Sequence, residues 1–118
     1  MAKLRVRNRS KNTVLADRAG IADTSELRRT GLLKHERLDE GEGLWIAPCE
    51  AVHTIGMKFP IDVVYLDSKH RVIHVCHSLI PFRIAAVKLR CRSVVELPAG
   101  TLAQTQTSVG DVLEISAV

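Results

Sequence analysis

The chain has 118 residues, of which 46% are apolar and 25% charged, with a formal net charge of +4. Such a length holds one domain with a real core, and the balance is that of an ordinary globular protein. Aromatic residues supply only 3%, so aliphatic side chains must fill the core, and the stacking platforms of single-strand nucleic-acid binders are missing.

Leu4 and Val6 alternate with Lys3, Arg5 and Arg7, the pattern of a half-exposed strand with a basic outer face. Ser10-Lys11-Asn12 is a turn signal, and Thr13 to Ala16 returns as a second strand, giving an N-terminal hairpin. The basic face reads as a charged sheet edge that discourages edge-to-edge pairing. Asp23-Thr24-Ser25-Glu26 opens a helix, with Asp23 as cap and Glu26 reaching back to it. Leu27 is expected on its inner side, Arg28 and Arg29 at its C-terminal end where cations suit the macrodipole, and Gly31 as its stop. Leu32 and Leu33 then pack inward, and His35 to Gly43 is a charged loop without the alternating ligands of a calcium site. Leu44-Trp45-Ile46 is a strand stopped by Pro48.

The central stretch runs from His53 to Leu66. Ala51, His53 and Ile55 share one face of a strand and Val52 and Thr54 the other; Gly56 breaks the pattern, and Met57-Lys58-Phe59 forms a connector. After Pro60, Ile61 to Leu66 is nearly continuous apolar sequence, which fits a strand covered on both faces. Alternation puts Ile61, Val63 and Tyr65 on one face and Asp62, Val64 and Leu66 on the other, so Asp62 is a buried carboxylate in need of donors. The backbone N–H groups of the Gly56–Phe59 connector are the expected donors. Asp67 to His70 makes a turn into a strand from Arg71 to His77, with Val72, His74 and Cys76 on one face and Ile73, Val75 and His77 on the other. Ile84 to Lys88 carries no clear pattern; Ser93 to Leu97 is a strand, Leu102 to Gln106 a short helix, and Val112 to Ile115 the closing strand. The sum is a mainly β protein with one or two short helices, a compact sandwich or barrel-like single domain over residues 1–118.

Several of these segments together resemble one family. Thr24 through Arg28 to Gly31-Leu32-Leu33 is similar to its first helix; His53-Thr54, Met57 and Pro60-Ile61-Asp62-Val63-Val64-Tyr65-Leu66-Asp67 to its central signature. Arg71-Val72-Ile73, Pro81, Val94 through Gly100, and Gly110-Asp111 follow in order. The family is the domain of unknown function 192 family, also called uncharacterised protein family 0127. The resemblance spans about residues 23–115, after the N-terminal hairpin, with Met57-Lys58-Phe59 one residue shorter than the family's usual connector. It implies a compact β-rich fold and no established reaction.

Candidate chemistry concentrates at a few side chains. His53, Met57, Lys58, Asp62 and Glu96 are the candidate ligand-binding set, on a His whose ordinary pKa lies near neutrality and two carboxylates on signature strands. Paired carboxylates can perform acid–base chemistry on glycosides, so a small enzyme or carbohydrate-binding site around His53, Asp62 and Glu96 is the alternative to a non-catalytic binding or scaffolding module. In the structural reading of the same residues, Glu96 pairs with Arg71 or Arg83. Arg83, Lys88, Arg90 and Arg92 form a candidate basic patch for phosphate or carboxylate if that segment is extended. His74, Cys76 and His77 suggest metal ligands, but strand alternation turns His77 away, so no metal and no other cofactor is expected. Cys49, Cys76 and Cys91 are odd in number and form no Cys-x-x-Cys pair, which fits a reducing, cytoplasmic setting. The first seven residues lack the apolar run of a signal peptide, and no stretch is long and apolar enough to span a membrane. The expected partner is a small molecule or a protein, not a sequence-specific nucleic-acid site.

Overall fold

The computed structural model describes residues 3–118, so Met1 and Ala2 of the signal-peptide reading lie outside the described residues. Strand β1 (Leu4–Asn8) pairs antiparallel with β2 (Thr13–Ala22), and helix α1 (Ser25–Thr30) follows. Strand β3 (Glu42–Ile46) lies parallel to β2. Strands β4 (Ile61–Leu66), β5 (Val72–Leu79) and β6 (Ser93–Pro98), helix α2 (Thr101–Thr105) and strand β7 (Leu113–Ala117) complete the chain. The seven strands form one sheet in the order β5-β4-β6-β3-β2-β1-β7, curled into a half-barrel.

Strand β4 sits where the central stretch places it, with all six residues buried. Its alternation divides the interior. Val64 and Leu66 join Val6, Val95, Leu97 and Leu102 in one core; Ile61, Val63 and Tyr65 join Leu32, Ile46, Met57 and Val94 in the other. A nearly continuous β-branched run is what a strand needs when both of its faces are covered.

Several local expectations are corrected. Strand β1 is no edge: β2 flanks it on one side and β7 on the other, so its basic face cannot guard an open rim in the folded protein. The cap of α1 is Thr24, not Asp23; its Oγ1 accepts the Leu27 N–H at 3.1 Å. Leu27 is exposed, because the six-residue helix turns its buried load over to Leu32 just beyond it. Gly31 does stop the helix, at φ 48°. The segment from Ala51 to Ile55 is not a strand; only His53 bridges to Ile84, although Val52 and Thr54 are buried and His53 and Ile55 exposed, as alternation requires.

Strand β5 departs furthest from simple alternation. Its register against β4 steps from Tyr65↔His74 to Leu66↔Val72, so Ile73 is an inserted residue. Val72 therefore faces the first core together with Val75, and Ile73 faces the second with Cys76. A second step, from Val63↔Cys76 to Ile61↔Leu79, makes another bulge around Ser78, whose φ is 50°.

Candidate functional site

Asp62 is fully buried, and its role is to receive backbone donors from three places. Oδ1 accepts the Ser78 N–H at 2.8 Å, and Oδ2 accepts those of Gly100 at 3.1 Å and Leu102 at 2.9 Å. The donors are the bulge of β5 and the first turn of α2, not the Gly56–Phe59 connector. The carboxylate holds Ser78 in a left-handed conformation that a serine adopts reluctantly, and satisfies N–H groups that a short helix leaves free at its start.

Strand pairing then decides the relation of the two candidate carboxylates. Asp62 lies opposite Leu97 on β6, and Val63 lies opposite Glu96. Asp62 and Leu97 thus share a face, and Glu96 points to the other side of the sheet. The two carboxylates are not a catalytic pair, because a packed sheet separates them.

Glu96 opens instead on a cavity of about 150 Å³ on the second face. Its residue is 4% exposed, and it makes no hydrogen bond or ion pair among the described residues; neither Arg71 nor Arg83 reaches it. Burial raises its carboxyl from 4.5 to about 7. Leu32, Ile46, Val52 and Met57 provide apolar lining, and Cys49, Arg28, Arg29 and His53 also line it, Arg29 and His53 being exposed residues. The Arg28 guanidinium is tied back to Asp23 O at 3.2 Å and Ser25 Oγ at 3.4 Å, whereas Arg29 is exposed. Gly31 lies close by: a Cβ built on it would sit 3.9 Å from Glu96 Oε1.

Of the candidate set, then, the structure brings His53, Met57 and Glu96 to one cavity. Asp62 is on the opposite face, and Lys58 is exposed and ion-paired with Glu36. Arg28 and Arg29, read from sequence as partners of a helix dipole, also line this cavity. The signal that could have found one of them was the placing of Arg28 within the family-like first-helix motif.

The three thiols sit in surroundings that favour their protonated form. Burial raises the pKa of Cys49, Cys76 and Cys91 alike. Cys91 Sγ donates to Cys49 O and Ser93 O at 3.2 Å each. Cys76 Sγ lies 3.7 Å from His74 Nε2, the His74 ring packs edge-on against Tyr65 at 5.0 Å, and His77 is exposed. Burial, and then Lys88, lower the His74 pKa. No group of three potential metal ligands converges among the described residues. The basic segment is not extended: the chain turns at Leu89–Arg90, where the Cys91 N–H meets Lys88 O at 3.0 Å. Lys88 and Arg90 share a shallow depression with Arg71, while Arg83 donates to the Phe82 carbonyl at 3.3 Å.

The curled sheet with its two cores and Asp62 clasp defines a β half-barrel protein. Among solved structures, a protein of unknown function from Novosphingobium aromaticivorans DSM 12444 matches with TM-score 0.81 at 20% identity, over 94% of this chain and 82% of that one. A Sinorhizobium meliloti 1021 protein described as a candidate transcription regulator matches with TM-score 0.79 at 21% identity, over 96% and 92%. Likeness at such identity speaks for the fold alone. The DUF192 family model, described as uncharacterized ACR, matches residues 6–115. A UPF0127 protein of Pyrococcus horikoshii is 34% identical over 110 residues, 88% of this chain and 92% of that protein. The chain belongs to the DUF192 family, whose curated relatives carry the UPF0127 name. No helix of the described residues is long and apolar enough to cross a membrane.

Proposed function

We propose that the chain is a non-catalytic binding module whose site is the cavity over Glu96, and that its ligand is a small group with an apolar body and a hydrogen-bond donor. The observation that carries this reading is Glu96 itself: a buried carboxyl with no partner among the described residues, facing a cavity. Its oxygens take no bond from a described protein group and face the cavity, so a donor entering there would meet an available acceptor. The cavity is smaller than the usual range of drug-sized sites, which suits a small ligand or one side chain of a protein partner. The three free cysteines favour the cytoplasm as its place of work, and no recognition-helix motif supports a sequence-specific nucleic-acid partner. The test is a thermal-shift screen with small amines, amides, alcohols and carboxylates on the wild type and Glu96→Gln. Donor-bearing compounds should raise the wild-type melting temperature and move the variant, which keeps one acceptor oxygen but cannot carry a charge, distinctly less. Equal shifts in both proteins, or none in the wild type, would refute the reading.

One observation favours a second reading, a small enzyme. A carboxyl poised at about 7 is suited to proton transfer at neutral pH, and His53 lines the same cavity. In that case Glu96→Gln would abolish a turnover while ligand binding survived. Asp62 has no part in it.

A further inference from the structure

We propose that the face formed by the 80–92 loop, the start of β5 and the 109–110 turn docks the protein on an anionic lipid surface. From Ser68 to Val95 the chain has 28 residues with six Lys and Arg and no Asp or Glu. The remainder holds eleven Lys and Arg against thirteen Asp and Glu, so the net positive charge of the chain resides in this one region. The fold brings part of it together: Arg71, Lys88 and Arg90 rim an open depression whose apolar members include Val87, Leu89 and Val109, and no carboxylate lines it. These apolar side chains are not core residues caught at a margin. Leu89 is 92% exposed, Val87 63% and Val109 60%. Phe82 and Ile84, on the same loop, are 68% and 77% exposed.

Water is a poor environment for such a group of side chains, and the charge pattern says what replaces it. Protein partners meet in register through mixed charges, whereas this rim carries a single sign. A rim of one sign around projecting aliphatic groups has no register to fix. It suits a surface that is continuously negative and has an apolar layer beneath, into which Leu89 and Val87 can dip while Lys88 and Arg90 stay at the headgroups. The irregular backbone of the loop fits this too, since a turn at Leu89–Arg90 projects side chains rather than laying down a flat face.

The experiment is co-sedimentation of the full chain with phosphatidylcholine vesicles and with vesicles containing phosphatidylglycerol. Binding is expected only to the second kind, and should fade as salt is raised. Leu89→Ser and Arg90→Glu change exposed side chains in a loop and leave both cores alone. Each should weaken partitioning by about tenfold, the scale of one lost anchor or one reversed charge. Absence of binding to anionic vesicles at low salt would overturn the proposal, as would binding that neither variant weakens. Lipid-free self-association removed by Leu89→Ser, with vesicles left unbound, would assign the face to a second copy instead. Capture of an acidic, leucine-containing peptide without vesicle binding would assign it to a protein, and the lipid proposal would fail.

Discussion

Replacing Asp62 by Ala should be among the most damaging single changes this fold can suffer outside its apolar cores. The substitution removes the acceptor of three backbone N–H groups at once, those of Ser78, Gly100 and Leu102. They are not equivalent. The Leu102 donor is buried, and stranding it carries the full cost of an unsatisfied buried group, about 1–3 kcal/mol. Ser78 is exposed and Gly100 partly so, hence water can reach their donors, and each loses only the net value of its bond, about 0.5–1.5 kcal/mol. The sum is about 2–6 kcal/mol, a large fraction of the stability of an ordinary domain. Asp62→Asn keeps one oxygen, enough for the two α2 donors, but turns an NH₂ toward the remaining one; its cost should be about 1–3 kcal/mol. Urea denaturation of the wild type and both variants measures this, with the transition slope checked for two-state behaviour. An Asp62→Ala protein within about 0.5 kcal/mol of wild type would refute the reasoning, because that is the scatter of ordinary surface changes.

Glu96 should make the protein less stable as pH rises. Its folded pKa of about 7 exceeds 4.5, so between those values the native state holds a proton that the unfolded chain has lost, and stability falls with pH across that window before levelling off. Glu96→Gln should remove this slope and be more stable than wild type above pH 7, by about 3 kcal/mol at most, as read from denaturation at a series of pH values. Asp111 should act in the opposite sense. Burial alone would raise its pKa, but bonds from Asn8, Lys11 and the Ser108 N–H outweigh burial and hold it below 3.8. Its stabilisation is present above that value and is lost as pH falls through the depressed pKa, so Asp111→Asn should flatten the acid limb of the same titration. Gly31→Ala should cost about 1–3 kcal/mol in urea, since φ 48° and ψ −127° suit no side-chain-bearing residue.

The parts of this fold that could be read from the sequence are those decided within a few residues. Strand β4 announces itself by composition, and its alternation predicts which residue enters which core because a strand buried on both faces has no other freedom. The stop of α1 at Gly31 is equally local. Burial of Asp62 could be foreseen from the strand face it shares with Val64 and Leu66, but its donors could not. They lie 16, 38 and 40 residues away, brought by a bulge and a helix start that only the assembled sheet positions. The bulge at Ile73 had no mark of its own, since an inserted residue is defined by the partner strand. One such residue was enough to part Val72 from the face assigned to it. The opposition of Asp62 and Glu96 follows at once from the β4–β6 register and from nothing short of it. Strand order was hidden for the same reason: the parallel pairing of β2 with β3 and the arrival of β7 beside β1 are contacts between distant segments.

That arrival has a consequence for the chain as it is made. Leu4 pairs with Ala117 and Asn8 with Leu113, so the outer ladder of β1 joins an early strand to one synthesised more than a hundred residues later. Until β7 leaves the ribosome, β1 and β2 can form their hairpin, but one rim of β1 offers open N–H and C=O groups to any neighbouring nascent chain. Arg5 and Arg7 lie on that rim, and Lys3 just before it. In the finished protein they guard no edge. While that edge is open, like charge on Arg5 and Arg7 would oppose the pairing of one nascent chain with another, a need that ends once β7 takes its place.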